Sequence, residues 1–378
     1  MRIGLVIYGN LQSLTGGYLY DRIVVEGLMQ RGHDVEVLSL QSGPYPMRLL
    51  KGWISGPNSR LGRKSFDVLL QDELCHPSLI GVNRKLRRRP GPPVVAVVHH
   101  MLCTEPRKIW QNRLLEAVEK AYLATVDGFI FNSQSTRRTV EVLLGGPHAP
   151  HVVAYPSGDR FGFPLSPEEI ASRCYLHGPL QLLFLGNVIP RKGLLTLLKA
   201  LGRIDPQIWR LAVVGGLDFD PAHASKVRQL CSQLGLSQQI RFLGQVQDRE
   251  LVQLLSTSQI FCMPYAYEGF GIAILEAMAF GMPAVCCLDG AAGETISHGK
   301  NGFLLSSDDI AGLEPLLKQL YEDREELKKM SIAAQKTSIS RSSWSETTAA
   351  IDNFLHLVAA RKDRNSTGGP TWTDTATG

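Results

Sequence analysis

Residues 264–285 read PYAYEGFGIAILEAMAFGMPAV, and this stretch decides the prediction of the fold. An apolar run at 260–263 comes directly before it and predicts a buried strand, which is followed by a Glu-Gly-Phe-Gly turn at 268–271. The apolar residues after the turn predict a helix, and a Gly-x-Pro segment at 281–283 ends that helix before a further apolar run at 284–288. A strand, a glycine-rich turn, a helix and another buried strand form the repeating unit of a parallel α/β sheet.

The turn at 268–271 also predicts a binding site. Its glycines let a ligand approach the main chain closely, and the N–H groups and dipole at the start of the next helix attract an anion. A carboxylate beside that anion does not favour phosphate, so Glu268 is predicted to bind hydroxyl groups. An anion and a polyol together indicate a nucleotide sugar. Glu276 lies on the predicted helix, and a solvated helix face is its alternative interpretation.

The spacing of these two glutamates carries little information by itself. Glu314 and Glu322 have the same spacing on what looks like an ordinary surface helix. The strand, turn and helix around Glu268 and Glu276 carry the signal. In that context the segment resembles the Glu-x7-Glu motif of retaining GT-B glycosyltransferases, specifically those of glycosyltransferase family four.

The resemblance covers about residues 1–360 and implies both a fold and two roles. The implied fold is an α/β GT-B fold, in which two Rossmann-like domains face each other across a cleft and the C-terminal helix crosses back to the first domain. The donor would bind in that cleft. Glu268 would face the donor sugar, and Glu276 would bind the ribose.

Predicted strands alternate with helices along the chain, which favours two parallel sheets with helices on both faces. We expect an N-terminal Rossmann-like acceptor domain at 1–165 and a C-terminal Rossmann-like nucleotide-sugar donor domain at 166–343. A loop-rich stretch at 156–179 is the predicted linker. The final helix, at about 344–361, belongs with the first domain, and a polar tail at 362–378 is predicted to be disordered.

A basic loop opens the second half of the chain. Arg191 and Lys192 precede Gly193 between a predicted strand and an amphipathic helix. Cations at the carboxyl end of a strand suit a diphosphate. The resembled family has an arginine where this chain has Asn187, so either Arg191 compensates or phosphate binding depends on Lys192 and backbone amides. A solvated basic turn is the alternative.

The resemblance assigns further residues to the cleft. His99 ends a predicted strand and would contact hydroxyl groups of the donor sugar; a structural histidine is the alternative. Gly16 and Gly17 follow the first strand and would lie against the donor diphosphate. The loop that contains Val246 would hold the nucleotide base through its backbone. Glu294 either lines the cleft or caps the helix that begins near it in the chain.

The predicted site therefore has two sets of residues. The predicted catalytic residues are His99, Lys192 and Glu268. The predicted donor-binding residues are Gly16, Gly17, Asn187, Arg191, Val246, Gly269, Phe270, Gly271 and Glu276. No cofactor is predicted, and no metal site either, because the pair at 99–100 has no third ligand at a suitable spacing.

Composition narrows the class of protein. Hydrophobic residues make up 44% and charged residues 20%, which is typical of a globular chain. No apolar window is long enough for a membrane span. The sequence begins directly with a strand pattern, without signal-peptide features, and its seven cysteines form no CxxC pair. These features predict a cytoplasmic protein with reduced cysteines.

Positive charge is concentrated in the first half. Residues 1–165 hold 20 Lys and Arg against 13 Asp and Glu, or +7, whereas the remaining residues have a net charge of −2. Much of this charge lies in a basic run formed by Arg84, Lys85, Arg87, Arg88 and Arg89. Peripheral contact with an anionic membrane at its inner face, or an anionic acceptor, is one interpretation, and solvated surface is the other. No nucleic-acid motif is present, so nucleic acid is not a predicted partner.

These observations predict a retaining hexosyltransferase. It would move a sugar from an α-linked nucleotide-diphosphate sugar to a carbohydrate, lipid or other small acceptor, forming an α-glycoside without a metal. Two alternatives stay open: a non-catalytic GT-B protein that binds sugar nucleotides or regulates a partner, which Asn187 favours, and a GT-B epimerase or phosphorylase. The donor and acceptor cannot be read from the sequence, because acceptor loops vary on a fixed fold.

Overall fold

Two parallel sheets organise the chain. The structure is a computed structural model that describes residues 1–54, 66–88, 91–105, 107–146, 149–265, 268–306 and 310–366. The strands of the first sheet are β1 (Arg2–Tyr8), β2 (Asp34–Leu40), β3 (Val68–Asp72), β4 (Val94–Val98), β5 (Gly128–Phe131) and β6 (His151–Val153). The strands of the second sheet are β7 (Leu180–Leu185), β8 (Trp209–Val214), β9 (Ile240–Gly244), β10 (Ile260–Met263), β11 (Ala284–Cys287) and β12 (Gly302–Leu305).

Helices connect these strands. The helices that lie between the strands of the first sheet in the sequence are α1 (Gly16–Gln30), α2 (Tyr45–Ile54), α3 (His76–Leu86), α4 (Ile109–Leu123) and α5 (Gln134–Leu144). Those that follow are α6 (Pro167–Cys174), α7 (Leu194–Leu201), α8 (Pro221–Gln233), α9 (Asp248–Thr257), α10 (Ile272–Ala279), α11 (Leu313–Glu322), α12 (Arg324–Ile339) and α13 (Trp344–Ser366). As predicted, each half is a Rossmann-like unit.

The order of the strands locates a crevice in each half. The first sheet has the order β2-β1-β3-β4-β5-β6, and the second has the order β12-β11-β10-β7-β8-β9. The chain reverses its direction of progress between β1 and β3 in the first sheet and between β7 and β10 in the second. Ligands of such sheets bind beyond the carboxyl ends of the strands at these points. The segments that follow β1, β7 and β10 are therefore the candidate ligand-binding segments.

The stretch that decided the prediction folds as expected. Strand β10 reads IFCM and β11 reads AVCC, and all eight side chains are buried. Continuous apolar strands of this kind occur where helices cover both faces of a parallel sheet. The two strands pair directly, with Phe261 opposite Ala284, and α10 connects them.

Helix α13 returns to the first sheet. Its Ile351, Phe354 and Leu355 are buried in one apolar cluster with residues of β1 and β4. At its start, the ring of Trp344 meets that of Tyr20 edge-on, with 5.6 Å between centroids. The helix continues to Ser366, beyond its predicted end. The remaining part of the predicted tail, residues 367–378, lies outside the described residues.

Helix α6 and strand β12 are among the elements that were not predicted. Helix α6 lies within the stretch predicted to be a loop-rich linker, and its start is a capping box: the Ser166 side chain accepts a hydrogen bond from the backbone N–H of Glu169, whose carboxylate accepts one from that of Ser166. The sequence Ser-Pro-Glu-Glu contains this signal, with Pro167 at the first helical position. Strand β12 extends the second sheet beside β11, with Gly302 opposite Ala284.

Candidate active site

Three charged residues meet at the carboxyl edge of the second sheet. Lys192 and Arg191 lie in the turn after β7, and Glu268 lies after the neighbouring β10. The Nζ atom of Lys192 is 2.5 Å from Oε2 of Glu268, and an Arg191 guanidinium nitrogen is 3.2 Å from the same oxygen. The structure thus brings together two of the predicted catalytic residues and one of the predicted donor-binding residues.

The turn around Lys192 depends on a glycine. Gly193 has a φ of 77°, and a Cβ atom added there would lie 1.7 Å from the carbonyl oxygen of Pro264. Only glycine permits so close an approach of the two loops. This contact fixes the segment that carries Lys192 against the segment that leads to Glu268.

The ion pairs keep Glu268 ionised. Burial by itself would raise the pKa of this carboxyl, but Lys192 and Arg191 outweigh burial and lower the pKa to about 2. Burial also lowers the pKa of Lys192, an effect that Glu268 opposes. An ionised carboxylate only accepts hydrogen bonds. Glu268 can therefore accept hydrogen bonds from hydroxyl groups, as its predicted role requires, while the two cations offer charge to a phosphate.

Arg191 and the nearby Asn187 both contact residues of the first domain. The Nε atom of Arg191 is 3.5 Å from Oε1 of Glu105, which follows β4. The side-chain amide of Asn187 donates to the carbonyl of Leu14 at 3.3 Å, while its oxygen accepts from the backbone N–H of Gly216 at 2.9 Å. Asn187 thus forms a hydrogen bond with a loop of the first domain. It occupies the position at which the resembled family has an arginine. The cationic charge at this edge comes from the turn that follows it.

Backbone contact brings the domains together at Gly269. A Cβ atom added to Gly269 would lie 2.0 Å from the carbonyl oxygen of His99, and the carbonyl of Gly269 accepts a hydrogen bond from Oγ of Ser133 at 2.8 Å. That His99 carbonyl is itself held by the side-chain amide of Asn132 at 2.9 Å. The Glu-Gly-Phe-Gly turn therefore contacts the carboxyl edge of the first sheet directly.

The side chain of His99 is buried and paired with Asp21 of α1. Its Nε2 atom is 3.0 Å from Oδ1 of Asp21, and its ring meets that of Tyr20 edge-on at 5.3 Å. Burial lowers the pKa of His99, but the Asp21 carboxylate more than offsets this and raises the pKa to about 9. The raised pKa favours the protonated ring, which can donate a hydrogen bond to Asp21. The sequence analysis did not identify Asp21, because nothing in the sequence joins two residues that are far apart in the chain.

The predicted Gly-Gly pair begins α1. Thr15 caps the helix, with its hydroxyl oxygen accepting from the backbone N–H of Tyr18. A Cβ atom added to Gly17 would lie 3.4 Å from the ring of His99, whereas one added to Gly16 would meet no atom within 4 Å. The structure thus brings Gly17 beside His99, and the predicted contact of both glycines with a diphosphate stays a prediction.

Glu276 is buried rather than solvated, so the surface interpretation was wrong. The carboxylate on α10 is 3% exposed and accepts a hydrogen bond from Nε of Arg160 at 2.7 Å. Burial raises the pKa of Glu276, and Arg160 partly opposes that rise. The guanidinium of Arg160 also approaches Asp248 at 3.2 Å and lies 4.0 Å above the ring of Phe161. Sequence reasoning missed Arg160, which comes from the predicted linker.

The other predicted donor-binding residues lie at the same edge of the second sheet or support it. Gly271 has a φ of 86° and begins α10, and Phe270 is buried with its ring 5.6 Å from that of Tyr155. Val246 is half-buried after β9. Its role in holding the base stays a prediction.

Glu294 caps a helix of the other domain. Its carboxylate oxygens accept hydrogen bonds from the backbone N–H groups of Gln134 and Ser135, at 3.0 and 2.6 Å, and from the hydroxyl of Tyr155 at 3.0 Å. The N–H groups at a helix start have no partner within the helix, and the dipole there favours an anion. The predicted cap was of a helix that begins near Glu294 in the chain; the structure instead shows Glu294 capping α5, across the domain boundary.

Two groups of side chains could hold a metal ion. Among the described residues they are His33 with Asp352 and His356, and Glu73 with His76 and Glu119. Neither group contains a predicted catalytic or donor-binding residue. His100, which was considered as a ligand with His99, instead has its Nε2 atom 3.0 Å from Glu105.

Comparisons with known proteins agree with this geometry. Residues 171–337 match the family model described as Glycosyl transferases group 1, and residues 22–159 match that of Glycosyltransferase Family 4. A phosphatidyl-myo-inositol mannosyltransferase from Mycolicibacterium smegmatis is 29% identical, over 95% of this chain and 94% of the relative. The enzyme of that name from Mycobacterium leprae is 31% identical, over 86% of this chain and 81% of the relative.

Solved structures show the same fold. Sucrose-phosphate synthase from Thermosynechococcus elongatus has a TM-score of 0.78 at 18% identity, covering 95% of this chain and 99% of that one. Anabaena HepE in complex with UDP-glucose has a TM-score of 0.73 at 19% identity, covering 94% of this chain and 100% of that one. The fold and the site therefore define a two-domain GT-B enzyme that transfers hexosyl groups. The chain belongs to glycosyltransferase family 4, and the predicted family, fold class and enzyme class are confirmed.

Replacing Glu276 with alanine tests its predicted contact with the ribose. We expect Glu276→Ala to weaken binding of the nucleoside diphosphate by about 1–3 kcal/mol, because a charged hydrogen-bond acceptor is lost. Calorimetric titration of the folded variant measures this change. Glu314→Ala is the matched control, since Glu314 belongs to the pair with the same spacing and is ion-paired with Lys318 on the surface of α11. Unchanged affinity in Glu276→Ala would remove the ribose role.

Proposed function

We propose that the protein transfers a hexosyl group from an α-linked nucleoside-diphosphate sugar to an acceptor hydroxyl with retention of configuration, forming an α-glycoside without a metal. The observation that carries this proposal is the group of Lys192, Arg191 and Glu268 at the carboxyl edge of the second sheet. The group lies beside the backbone contact between Gly269 and His99. A diphosphate and a sugar can therefore be held by neighbouring residues.

The charges favour departure of the diphosphate. Negative charge grows on the leaving phosphate as the glycosidic bond breaks, and a cation fixed nearby stabilises that charge more than it stabilises the ground state. Lys192 and Arg191 already occupy this edge, so charge stabilisation needs no further cation. This arrangement supports the metal-independent part of the proposal.

The carboxylates support binding roles rather than nucleophilic ones. In glycosidases two carboxyl groups flank the scissile bond, one as acid and the other as nucleophile or base. Here Glu268 is ion-paired with two cations, and Glu276 is buried against Arg160. We propose that the leaving phosphate helps to remove the acceptor proton and that the sugar reacts on one face.

Relatives narrow the choice of substrates. Several are named as mannosyltransferases, including the two phosphatidyl-myo-inositol enzymes and an MMP alpha-(1->4)-mannosyltransferase from Mycolicibacterium hassiacum. We therefore propose a mannosyl donor before a glucosyl one, and a lipid-linked acceptor before a soluble carbohydrate. Of the helices that the structure describes, none has the length and apolarity to cross a membrane. We propose that a lipid acceptor is reached by peripheral contact.

A panel of nucleotide sugars tests the reaction. We expect GDP-mannose, among GDP- and UDP-linked mannose, glucose and N-acetylglucosamine, to give the fastest release of nucleoside diphosphate. EDTA should leave the rate unchanged. NMR of the product should show an α-linked sugar at the anomeric carbon. A β-linked product would contradict retention, and a rate that EDTA abolishes and magnesium or manganese restores would contradict metal independence.

A further inference from the structure

The start of α4 exposes three large apolar side chains. Ile109, Trp110 and Leu114 are 74%, 62% and 57% exposed. At about 100° per residue they lie within one side of the helix. The far end of the same helix is buried through Tyr122 and Leu123. The helix is therefore anchored at its end, while its first two turns present an apolar surface, which we call the α4 tip.

The α4 tip projects beyond the carboxyl edge of the first sheet. The buried carboxylate of Glu119 accepts hydrogen bonds from the backbone N–H groups of Leu102 and Cys103, at 2.6 and 3.1 Å, in the turn after β4. Ile109 precedes Glu119 by ten residues, or ~15 Å along the helix axis. The segment that leads into the tip contains Glu105, the partner of Arg191 across the cleft. The tip thus stands beside the cleft.

Basic residues border the α4 tip. Arg107 and Lys108 precede the helix, and Arg113 lies among the apolar residues; all three are exposed. Glu116 is the acidic residue within 107–117. An exposed tryptophan with aliphatic neighbours and flanking cations matches the boundary of a bilayer, where the ring meets the headgroups and the cations meet anionic lipid.

We propose that the α4 tip docks the enzyme on a bilayer that contains anionic lipid. The apolar side chains enter the boundary between headgroups and acyl chains, and Lys108 and Arg113 contact the anionic headgroups. This docking holds the cleft against the surface from which a lipid-linked acceptor hydroxyl is presented. The inference rests on the proposed function, because it supplies that acceptor to the same site.

The basic run lies elsewhere. Arg84 and Arg88 are exposed near the end of α3, which runs back from the carboxyl edge of the sheet. The guanidinium of Arg87 donates to the carbonyl of Ala124, directly after the last residue of α4, at 2.9 Å. The run is therefore at the opposite end of α4 from Ile109, ~22 Å away along the axis; its member Arg89 lies outside the described residues. The basic run, which the charge distribution alone had indicated as a membrane-contacting surface, is therefore remote from the cleft.

Flotation of the full chain with vesicles tests the docking. Phosphatidylcholine vesicles with and without phosphatidylglycerol are compared for the wild type and for a triple variant, Ile109→Ser, Trp110→Ser and Leu114→Ser. We expect the wild type to float with the anionic vesicles and the triple variant to bind them at least about tenfold more weakly. Val142→Ser, at a residue on α5 that is 82% exposed, is the matched control and should bind like the wild type. Release of nucleoside diphosphate with a water-soluble acceptor should not change in the triple variant.

Other outcomes overturn the inference. They are equal flotation of the triple variant and the wild type, no flotation of the wild type, and loss of flotation in Arg84→Ala/Arg88→Ala but not in the triple variant. A triple variant that turns a dimer into a monomer, with flotation unchanged, would assign the α4 tip to a second copy of the chain. Failure of the proposed function looks different: no nucleotide sugar would be consumed, although flotation still depended on the α4 tip.

Discussion

Replacing Lys192 with alanine is expected to lower kcat by ~10²–10³-fold, because the ammonium group stabilises negative charge where the diphosphate leaves. Stability should change much less, since Glu268 keeps its ion pair with Arg191 at 3.2 Å. The rate of nucleoside-diphosphate release at saturating donor gives kcat, and thermal unfolding of the same sample gives the stability.

Two controls make the Lys192→Ala result specific. Lys199→Ala removes a lysine of similar chemistry from the exposed side of α7 and should leave kcat unchanged. Asn187→Ala should lower kcat less than Lys192→Ala does, because Asn187 contributes hydrogen bonds to Leu14 and Gly216 but no charge. If Asn187→Ala is the more damaging of the two, Lys192 is not the main phosphate cation.

Replacing Gly269 with alanine is expected to lower kcat/KM by ~10²-fold without unfolding the protein. The added methyl group would lie 2.0 Å from the carbonyl oxygen of His99, which belongs to the backbone and cannot move aside as the end of a flexible side chain could. Relief of this contact requires a movement of more than about 1 Å between the two sides of the cleft, and misplacement on that scale costs about two orders of magnitude in rate.

A second glycine serves as the control for Gly269→Ala. The Cβ atom of Gly293→Ala would have its nearest neighbour, a methyl group of Leu304, at 3.9 Å, which is ordinary contact. Kinetics and far-UV circular dichroism of both variants measure the effect. Full activity in Gly269→Ala would show that the observed approach of the domains is not the arrangement in which the reaction occurs.

Local patterns predicted most of the fold. The bounds of β10 were predicted to the residue and those of β11 to within one residue, because a buried parallel strand is a short apolar run with turn residues at its ends. The meeting of Lys192 with Glu268 followed from two separate motifs at the carboxyl ends of strands that proved to be neighbours. Helix α6 was missed although Ser166 and Glu169 form a recognisable cap.

The partners of the site residues could not be predicted in the same way. Asp21 pairs with His99, Arg160 with Glu276 and Glu105 with Arg191. Each pair joins residues that are 78 or more positions apart, and each forms only because the sheets place them together. Without the tertiary structure, a charged residue on a helix or loop is indistinguishable from one that faces solvent.

The cap that Glu294 provides for α5 has a consequence for substrate affinity, because it bears on how often the two domains of the free enzyme are apart. Separation of the domains would remove an acceptor from the amides of Gln134 and Ser135, so this cap stabilises the arrangement of the domains that the structure shows over one in which they are apart. A substrate that enters only the open arrangement binds with its intrinsic affinity reduced by the open fraction. In that case Glu294, a residue outside the predicted donor site, would set part of the concentration at which that site fills.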